Sequence, residues 1–392
     1  MTDLRALDLR AKQLQAEFPD PWIRQYSLKA NPLPSVVGRL AESGFGANVV
    51  SRGEWAAASA AGLGNDLITL EGIGKTDADL EAAAAAASRG RPLRWVTLES
   101  PDEAEQLSRM TTAAGLDQAR NGLDVLLRLN PEVVPETSTD LGVGAKSSKF
   151  GMTQAEIWEW VETSRRSPSG LRLRGIHVHV GSQLRAVEAW TQGAIQACRL
   201  LRELSLVAID MDTVDFGGGF PAGEVSSPTP SAFRQAMDDS LAQAGLSLPT
   251  RPAIEPGRYL VADAGWIVSR VLHVRRRGEG QQVVIDASFA ELIRPALYGA
   301  RHDILAIRTQ QVSAGEECES TVVEGSLCES TDTFGIHQLP RLSRGDVVAI
   351  VGAGAYSSSM FSSYNGRPRP PEVVIQPDLT LSLARAASPY LP

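Results

Sequence analysis

The chain has 392 residues, and because a single hydrophobic core stops growing at about 250 to 300 residues, two domains are expected. Hydrophobic residues make up 43% of the chain and charged residues 21%, which are globular values that exclude disorder, a collagen-like repeat and a disulfide scaffold. The formal net charge of −8 disfavours nucleic acid as a partner, since binding a polyanion requires an excess of basic charge on one face.

The cysteines and the N-terminal stretch bear on the cellular compartment. Cys198, Cys318 and Cys328 are an odd number in a long chain, which predicts free thiols in a reducing compartment. The stretch MTDLRALDLRAKQLQAEF alternates charged and apolar residues, unlike a signal peptide. No apolar run approaches the roughly 20 residues that a membrane helix needs. We therefore expect a cytoplasmic protein that has no membrane partner.

From about residue 10 to residue 260, short β-rich runs alternate with stretches rich in helix formers. This alternation is typical of repeated β-α units and a parallel sheet, and eight runs suggest a closed (β/α)8 TIM-like barrel. The predicted strands are Ile23–Leu28, Ala47–Val50, Leu67–Leu70, Arg94–Leu98, Val125–Leu129, Gly175–Val180, Thr213–Phe216 and Pro252–Glu255. Two of the stretches between them, Asp77–Ser88 and Ala189–Leu206, are predicted crossover helices.

The residue pattern of the sequence changes after about Val261. Runs rich in β-branched residues follow one another with little helical periodicity: WIVSRVLHV, QQVVIDASF, STVVEGSL and DVVAIVGAGAY. We predict a β-rich barrel or sandwich domain over residues 261–392, to which residues 1–9 could also belong. The predicted fold class is therefore α/β, with a (β/α)8 barrel over residues 10–260 followed by this β-domain.

Functional residues are sought at the carboxyl ends of the barrel strands, which face a common mouth. Lys29, in the hexapeptide YSLKAN, lies at the end of an apolar run between small or apolar neighbours. A partly desolvated amine is a good Schiff-base nucleophile. A lysine that simply leaves a strand into solvent would give the same hexapeptide, so the motif alone leaves both interpretations open.

His177 and His179, in HVHVGSQ, fall on the same face of a predicted strand because side chains alternate along a strand. A metal site, a ring that stacks on an aromatic cofactor, and a satisfied buried histidine are all compatible with this pair. No partner at metal-ligand spacing is evident, and the other histidines, His273, His302 and His337, lie in the β-rich part.

Two further strand ends carry candidate groups. Gly217, Gly218 and Gly219 follow the strand that ends at Phe216, and consecutive glycines allow backbone N–H groups to close around a phosphate, although a tight barrel turn would look the same. Glu255 is a carboxylate that could keep a pyridine nitrogen protonated, or could form a surface ion pair. Together with the lysine and the histidine pair, these groups fit one phosphorylated aromatic cofactor.

The chain resembles the fold-type III pyridoxal-phosphate decarboxylases, and among them most closely the diaminopimelate decarboxylase branch. The resemblance runs from about Tyr26 to Pro370 and rests on the order and approximate spacing of the following motifs: YSLKAN, NVVSRGEW, RLNP, SSKFG, HVHVGSQ, DFGGGFP, EPGRYL, IRPALYGARH, CESTD, GAYSSSM and YNGRPRP. It implies pyridoxal 5′-phosphate as the cofactor and no metal.

The resemblance also implies roles for individual residues. Lys29 would bind the cofactor aldehyde covalently, His179 would stack on the ring, and Glu255 would pair with the pyridine nitrogen. The remaining cofactor contacts that it implies are Arg128, Ser182, Gly217, Gly218, Gly219, Gly257, Arg258 and Tyr356. The substrate contacts that it implies are Arg258, Arg294, Tyr298, Glu329, Asp332 and Tyr356.

By the same resemblance, Cys328 would be the proton donor, and Cys328, Glu329 and Asp332 would come from the neighbouring subunit, so that a homodimer shares its active sites. Cys-Glu-Ser occurs twice, but only the copy at Cys328 has Gly325 before it and Asp332 after it. Cys318 is therefore expected to be a plain thiol in a connecting turn.

The expected reaction is removal of the carboxylate at the D-configured centre of meso-diaminopimelate, which yields L-lysine. Another amino acid, a carrier-bound amino acid of a biosynthetic cluster, a racemase and a catalytically silent binding protein are the alternatives. Lys29 and Cys328 argue against a silent binding protein. A racemase would need a catalytic tyrosine opposite the lysine, and the CESTD segment fits decarboxylation better. Three features depart from the family: Glu71 stands where many relatives have histidine, Val143-Gly144 lies in a lid-like loop with unusual residues, and the chain starts almost directly at the first barrel helix, without the family's preceding strand.

Overall fold

The structure is a computed structural model, and it describes residues 1–137, 141–166, 169–207, 211–223, 227–278, 280–307 and 317–388. The chain divides into two compact units. Residues 10–259 form one, here called the barrel unit, and residues 1–9 together with 260–392 form the other, here called the β unit. The chain begins with strand β1 (Thr2–Asp3) and helix α1 (Leu4–Glu17), which continues from the β unit into the barrel unit.

The barrel unit contains a closed barrel of eight parallel strands that follow one another in chain order. They are β2 (Ile23–Ser27), β3 (Gly46–Val49), β4 (Ile68–Leu70), β5 (Trp95–Leu98), β6 (Leu123–Leu129), β7 (Leu171–Val178), β8 (Thr213–Asp215) and β9 (Arg251–Ile254). The pairing of β2 with β9 closes the ring. The predicted (β/α)8 barrel is confirmed, and the largest difference in a strand boundary is that β7 begins at Leu171 and not at Gly175.

These strands could be recognised in the sequence because they are covered on both faces. Every residue of β3, β4 and β5 is buried, and in β6 all but one are. A strand buried on both sides reads as a continuous apolar run, as parallel strands inside a ring of helices do. The carboxyl ends of the eight strands consequently form one mouth, which is where the candidate residues follow them.

Helices alternate with the barrel strands as predicted. They are α2 (Pro34–Glu42), α3 (Arg52–Ala60), α4 (Asp77–Ser88), α5 (Pro101–Ala113), α6 (Gln154–Arg166), α7 (Glu188–Ser205) and α8 (Pro230–Gln243), followed by the short α9 (Arg258–Val261). The α4 helix has the predicted bounds and starts with a capping box between Thr76 and Asp79, which satisfies backbone N–H groups of its first turn. None of the described helices is long and apolar enough to cross a membrane.

The β unit contains two sheets. The larger has the strand order β12-β15-β10-β11-β13-β14, and the smaller has the order β1-β16-β17. Their bounds are β10 (Trp266–Arg277), β11 (Gly280–Ile285), β12 (Ile304–Ile307), β13 (Cys318–Glu324), β14 (Thr333–Pro340), β15 (Val347–Val351), β16 (Glu372–Ile375) and β17 (Leu381–Arg385), and one helix, α10 (Arg294–Tyr298), precedes β12. The larger sheet surrounds a buried core that includes Val283, Ile285 and Ile350.

Two expectations for this part of the chain are wrong. The chain does contribute a strand before its first helix, since Thr2 and Asp3 pair in parallel with Val374 and Ile375 of β16. A strand of two residues carries no periodic pattern, which is why the sequence did not reveal it. In addition, Cys318 does not lie in a turn but begins strand β13.

Candidate active site

Lys29 lies in a single 3-10 turn, Leu28–Ala30, directly after β2. Its two neighbours are buried whereas Lys29 itself is exposed, so the expected partial desolvation of the amine is wrong. The positive charge of Lys29 contributes to lowering the pKa of His179, and it opposes the burial that raises the pKa of Glu54. The amine therefore stands at the mouth of the barrel within electrostatic reach of these two side chains.

His179 directly follows β7 and is held by the glycine turn. The backbone N–H of Gly218 donates a hydrogen bond to its Nδ1 at 3.1 Å. Burial, and then the charges of Lys29 and Arg128, lower the pKa of His179 well below its ordinary value. A ring nitrogen that accepts from an amide carries no proton, so the ring is neutral with its proton on Nε2.

The turn of Gly217, Gly218 and Gly219 is packed too closely for any side chain. A Cβ on Gly217, whose φ is +68°, would lie 2.6 Å from Nδ1 of His179. A Cβ on Gly218 would lie 2.4 Å from the carbonyl oxygen of Glu255. Glycine is required at these positions because the turn packs directly against His179 and Glu255 and leaves no space for a Cβ atom.

Ser182, Arg258 and Gly257 come together on the same side of the barrel unit. Arg258 donates from Nε and Nη2 to the hydroxyl oxygen of Ser182, at 3.3 and 3.2 Å. A Cβ on Gly257 would come within 3.1 Å of the Cβ of Ser27 and 3.3 Å of that of Ala30. The structure thus places Arg258, predicted to contact both cofactor and substrate, against a residue predicted to hold the cofactor phosphate.

Four titratable side chains are buried together beneath these residues: Glu71, His177, Asp215 and Glu255. Nε2 of His177 lies 3.6 Å from Oε2 of Glu71 and 3.5 Å from Oε2 of Glu255. Ligand-capable atoms of these three residues lie within 4.8 Å of one another. Oε1 of Glu255 and Oδ2 of Asp215 accept no hydrogen bond from an N–H or hydroxyl of the described residues, and neither ring nitrogen of His177 has a hydrogen-bond partner among them. Glu255 nevertheless shares side-chain hydrogen bonds with Glu71 and Asp215. We call these four residues the buried acidic cluster.

Burial changes the proton affinity of the buried acidic cluster. Burial and the adjacent Glu255 raise the pKa of Glu71 to about 8. The same two causes raise the pKa of Asp215 well above its ordinary value. Burial lowers the pKa of His177 to about 4, although the charge of Glu71 opposes this. At neutral pH the imidazole is therefore neutral, and protons remain on carboxyl groups.

Arg128, on β6, forms a buried ion pair with Glu99 across a distance of 2.6 Å. The other carboxylate oxygen of Glu99 accepts from the backbone N–H of Gly151 at 3.0 Å, and the guanidinium carbon lies 4.8 Å from the ring centroid of Phe150. Burial by itself raises the pKa of Glu99, but the charges of Arg128 and Lys75 outweigh it and leave this pKa lowered. Arg128 is thus fixed in position from two sides.

Sequence reasoning did not include Glu71, Glu99 or Asp215 among the candidate site residues. Each of them nevertheless carried the signal that was applied to Lys29 and Glu255. Glu71 directly follows β4, Glu99 directly follows β5, and Asp215 is the last residue of β8. Carboxylates at the carboxyl end of a buried strand would have been found if every strand end had been searched for them.

The comparisons with known proteins decide the family. Residues 4–262 match the family model described as "Pyridoxal-dependent decarboxylase, pyridoxal binding domain". The chain belongs to this family. A diaminopimelate decarboxylase of Aquifex aeolicus is 30% identical over 371 residues, which cover 94% of this chain and 84% of that protein. One of Helicobacter pylori (strain J99) is 32% identical over 352 residues, covering 90% and 83%.

Solved structures agree with this assignment. The crystal structure of Helicobacter pylori diaminopimelate decarboxylase complexed with L-lysine has a TM-score of 0.89 at 27% identity, and covers 99% of this chain and 93% of that one. Membership in the pyridoxal-dependent decarboxylase family confirms the resemblance inferred from the motifs. Pyridoxal 5′-phosphate is accordingly the cofactor of this family member.

The barrel unit of this pyridoxal-dependent decarboxylase fits that cofactor chemically. A cofactor with an aldehyde, a pyridine nitrogen and a phosphate requires an amine, a buried acceptor and a close approach to backbone. Lys29 supplies an exposed amine, and Oε1 of Glu255 is a buried oxygen that accepts no hydrogen bond from a protein N–H or hydroxyl of the described residues. In the glycine turn, Gly217 and Gly218 already donate their backbone N–H groups to Asp215 and His179, so a phosphate would meet the backbone at Gly219.

In the β unit of the decarboxylase, Arg294 and Tyr298 are the two ends of α10. Nη1 of Arg294 lies 3.0 Å from Nε2 of His302, whose Nδ1 lies 2.9 Å from the carbonyl oxygen of Val351. Tyr356 has a φ of +56°, which a residue other than glycine rarely adopts. Such a backbone persists where the surrounding structure enforces it, and these conformations cluster at functional sites.

The CESTD segment has exposed side chains at its start and a buried one at its end. Cys328 and Glu329 are exposed, and the hydroxyl of Tyr364 donates to Oε1 of Glu329. Asp332 is buried, and its two oxygens accept from the backbone N–H groups of Phe289 at 2.7 Å and Leu327 at 2.8 Å. The structure therefore shows Asp332 shaping the loop that presents Cys328, while its contact with substrate stays a prediction.

Proposed function

We propose that this pyridoxal-dependent decarboxylase converts meso-diaminopimelate to L-lysine. The observation that carries the proposal is that Lys29, His179 and Glu255 follow strands β2, β7 and β9 at one mouth of the barrel, where a pyridoxal cofactor would meet an amine, a neutral ring and a carboxylate. The relatives named diaminopimelate decarboxylase, and the solved relative complexed with L-lysine, support the choice of substrate. L-lysine is what remains when diaminopimelate loses one carboxyl group as carbon dioxide.

The proposed roles in the barrel unit follow from the geometry. Bound pyridoxal 5′-phosphate supplies an electron sink for the electron pair left behind when the carboxylate departs. Lys29 would hold the cofactor covalently until the substrate amine takes its place. Glu255 would accept a hydrogen bond from the protonated pyridine nitrogen, and the neutral ring of His179 would stack against the cofactor. Ser182, Gly257, Tyr356 and the glycine turn would bind the phosphate, and Arg128 would lie near the phenolic oxygen.

The β unit would supply proton transfer and substrate recognition. Cys328 is exposed, and we assign to its thiol the delivery of a proton to the α-carbon after carbon dioxide has left. Arg258, Arg294 and Tyr298 would bind the substrate carboxylate, for which the planar guanidinium is well suited. Glu329 would face the distant amino group of the substrate.

We further propose a cytoplasmic homodimer whose subunits share their active sites. In that arrangement Cys328, Glu329 and Asp332 serve the partner's cofactor. A mixture of Lys29→Ala and Cys328→Ala protein tests this, because a mixed dimer would contain one site with neither substitution. If half of the dimers are mixed, about one quarter of the normal activity should return. Activity that does not rise above that of the separate variants after mixing would reject shared sites.

A carbon dioxide release assay tests the proposed reaction. The purified enzyme with pyridoxal 5′-phosphate is offered meso-diaminopimelate, both enantiomers of lysine and of ornithine, arginine and glutamate. We expect release from meso-diaminopimelate alone, with L-lysine as the product by chiral chromatography, and no release by Lys29→Ala. Release from a different amino acid would assign another substrate and leave the assigned reaction, decarboxylation, unchanged. Lack of release from every free amino acid would favour a carrier-bound substrate or a silent protein.

A further inference from the structure

Glu71 is placed differently from the other carboxyl groups of the buried acidic cluster. The hydroxyl of Thr97 donates to its Oε1 at 3.0 Å, and the side-chain amide of Asn48 donates to its Oε2 at 3.1 Å. Glu255 shares side-chain hydrogen bonds with Glu71 and Asp215, and its Oε1 accepts no hydrogen bond from a protein N–H or hydroxyl of the described residues. Glu71 therefore has two neutral hydrogen-bond partners, whereas the described side-chain hydrogen bonds of Glu255 are made to carboxyl groups.

The neighbours of Glu71 can solvate it in either protonation state. A threonine hydroxyl both donates and accepts, and the amide of Asn48 has an oxygen as well as a nitrogen. That oxygen, Oδ1, is buried and has no partner in the present orientation, so rotation of the amide would offer an acceptor to a protonated Glu71. The surroundings of Glu71 thus suit a group that gains and loses a proton.

Electrostatics require that the cluster retain protons. Two unit charges about 4 Å apart repel by about 4 kcal/mol at an effective dielectric constant of about 20. Glu255 lies close enough to raise the proton affinity of both Glu71 and Asp215, and the charged or titratable groups facing Glu71 are Glu255, Asp215, His177 and Arg128. The guanidinium of Arg128 is already paired with Glu99, so it cannot neutralise three carboxylates.

We propose that Glu71 is a positioning residue which takes up the proton that it shares with Glu255, so that Glu255 meets the cofactor's pyridine nitrogen as a carboxylate. The proposal rests on the proposed function, because it presumes that a pyridoxal cofactor binds at this mouth. Glu71 acts through Glu255 and does not touch the reacting atoms. The proton belongs to the pair, and the two adaptable neighbours of Glu71 make it the better holder when the ligand arrives.

Infrared spectroscopy tests the shared proton directly. At neutral pH the cofactor-free protein should show the carbonyl bands of protonated carboxyl groups, and one of them should disappear in Glu71→Gln and in Glu255→Gln. Either substitution removes the repulsion that makes the pair keep its proton. Asp79→Asn is the matched control, since Asp79 is buried but its pKa is lowered by hydrogen bonds from Thr76, and the bands should not change. A spectrum unaltered by Glu71→Gln overturns the proposal.

A pH series of urea unfolding gives a second readout, which a purely structural role would not change. The folded pKa of Glu71 is raised to about 8 from the ordinary 4.5, so its contribution to stability should fall as pH rises from about 4.5 to about 8 and then level off. Glu71→Gln cannot titrate, so its urea midpoint should rise relative to the wild type across this window. Parallel midpoints at every pH contradict the proposal.

Cofactor retention and metal content complete the test. Glu71→Gln should bind pyridoxal 5′-phosphate about tenfold more tightly than Glu71→Ala, because the amide replaces the hydrogen bonds of the neutral acid. If the purified protein instead carries one metal ion per chain that Glu71→Gln removes, a cation and not a proton balances the carboxylates, and the proposal is rejected. The infrared and unfolding measurements require neither cofactor nor turnover. They therefore test the role of Glu71 independently of the assigned reaction.

Discussion

The backbone N–H of Gly218 donates to Nδ1 of His179, and this single contact fixes the proton of the ring on Nε2. A neutral, oriented imidazole presents a flat face without a charge of its own. It can therefore pack against an aromatic cofactor without repelling a protonated pyridine ring. The glycine turn thus sets both the position and the charge of the residue proposed to stack on the cofactor.

Replacing Lys29 with alanine should abolish covalent capture of the cofactor. Borohydride treatment of the wild-type protein with pyridoxal 5′-phosphate should leave a pyridoxyl group on the peptide that contains Lys29, as peptide mass spectrometry would show. Lys12→Ala is the matched control, because Lys12 is also exposed but lies on α1. Equal labelling of the Lys29→Ala protein would show that another amine holds the cofactor.

Cys328→Ala should slow turnover or divert the product while the cofactor stays bound. The thiol is assigned to proton delivery, so kcat should fall about 10²-fold or more while KM changes little, as expected for a removed acid or base. Cys318→Ala provides the control, since Cys318 is an equally exposed free thiol within the same tripeptide sequence. An unchanged rate in Cys328→Ala would take the thiol out of the mechanism.

Glu99→Gln should destabilise the barrel unit, because it leaves Arg128 buried without its counter-charge. Loss of one partner of a buried ion pair costs about 3–5 kcal/mol in the free energy of unfolding, measured by urea denaturation. Glu42→Gln, which breaks an exposed pair with Arg39, should cost no more than about 1 kcal/mol. Similar losses in both variants would contradict the burial argument.

The same ion pair predicts a pH dependence. The pKa of Glu99 in the folded protein is lowered from the ordinary 4.5, so its contribution to stability is fully present above that value. It should be lost as pH falls through the folded pKa. The difference in unfolding free energy between the wild type and Glu99→Gln should therefore shrink on acidification below about pH 4.5, and a constant difference would argue against ionisation as its source.

Gly218→Ala should disturb the site through packing alone. The added methyl group would meet the carbonyl oxygen of Glu255 at 2.4 Å, so the turn must shift, at a cost of about 1–3 kcal/mol in unfolding free energy. Pyridoxal 5′-phosphate should dissociate more readily in equilibrium dialysis. Gly74→Ala is the control, because nothing lies within 4 Å of a Cβ at that position. Equal behaviour of the two variants would show that the turn can relax.

The barrel could be predicted from the sequence because its strands are covered on both faces and read as apolar runs between helices. The strands β1 and β17 of the β unit could not be predicted in this way. In β17 the side chains of Leu381 and Leu383 are exposed, and β1 has only two residues, so neither strand has the pattern that burial on one or both faces imposes.

The candidate site was predictable where a residue type is chemically distinctive and was missed where it is common. A lysine or a run of glycines after a strand stands out, and the structure brings the glycine turn against His179 and Glu255. Glu71 and Asp215 were overlooked because a glutamate or aspartate after a strand is ordinarily a solvated residue. Their burial depends on how eight strand ends converge, which local sequence does not specify.

The pairing of Thr2 and Asp3 with Val374 and Ile375 has a consequence for biogenesis. Synthesis proceeds from the amino to the carboxyl end, so Thr2 and Asp3 leave the ribosome well before Val374 and Ile375, and this sheet cannot be completed until strand β16 has been translated. The contact closes a long loop, and the entropic cost of that closure falls late in folding. All eight barrel strands are translated before β16, so the barrel can fold before Thr2 and Asp3 form their sheet.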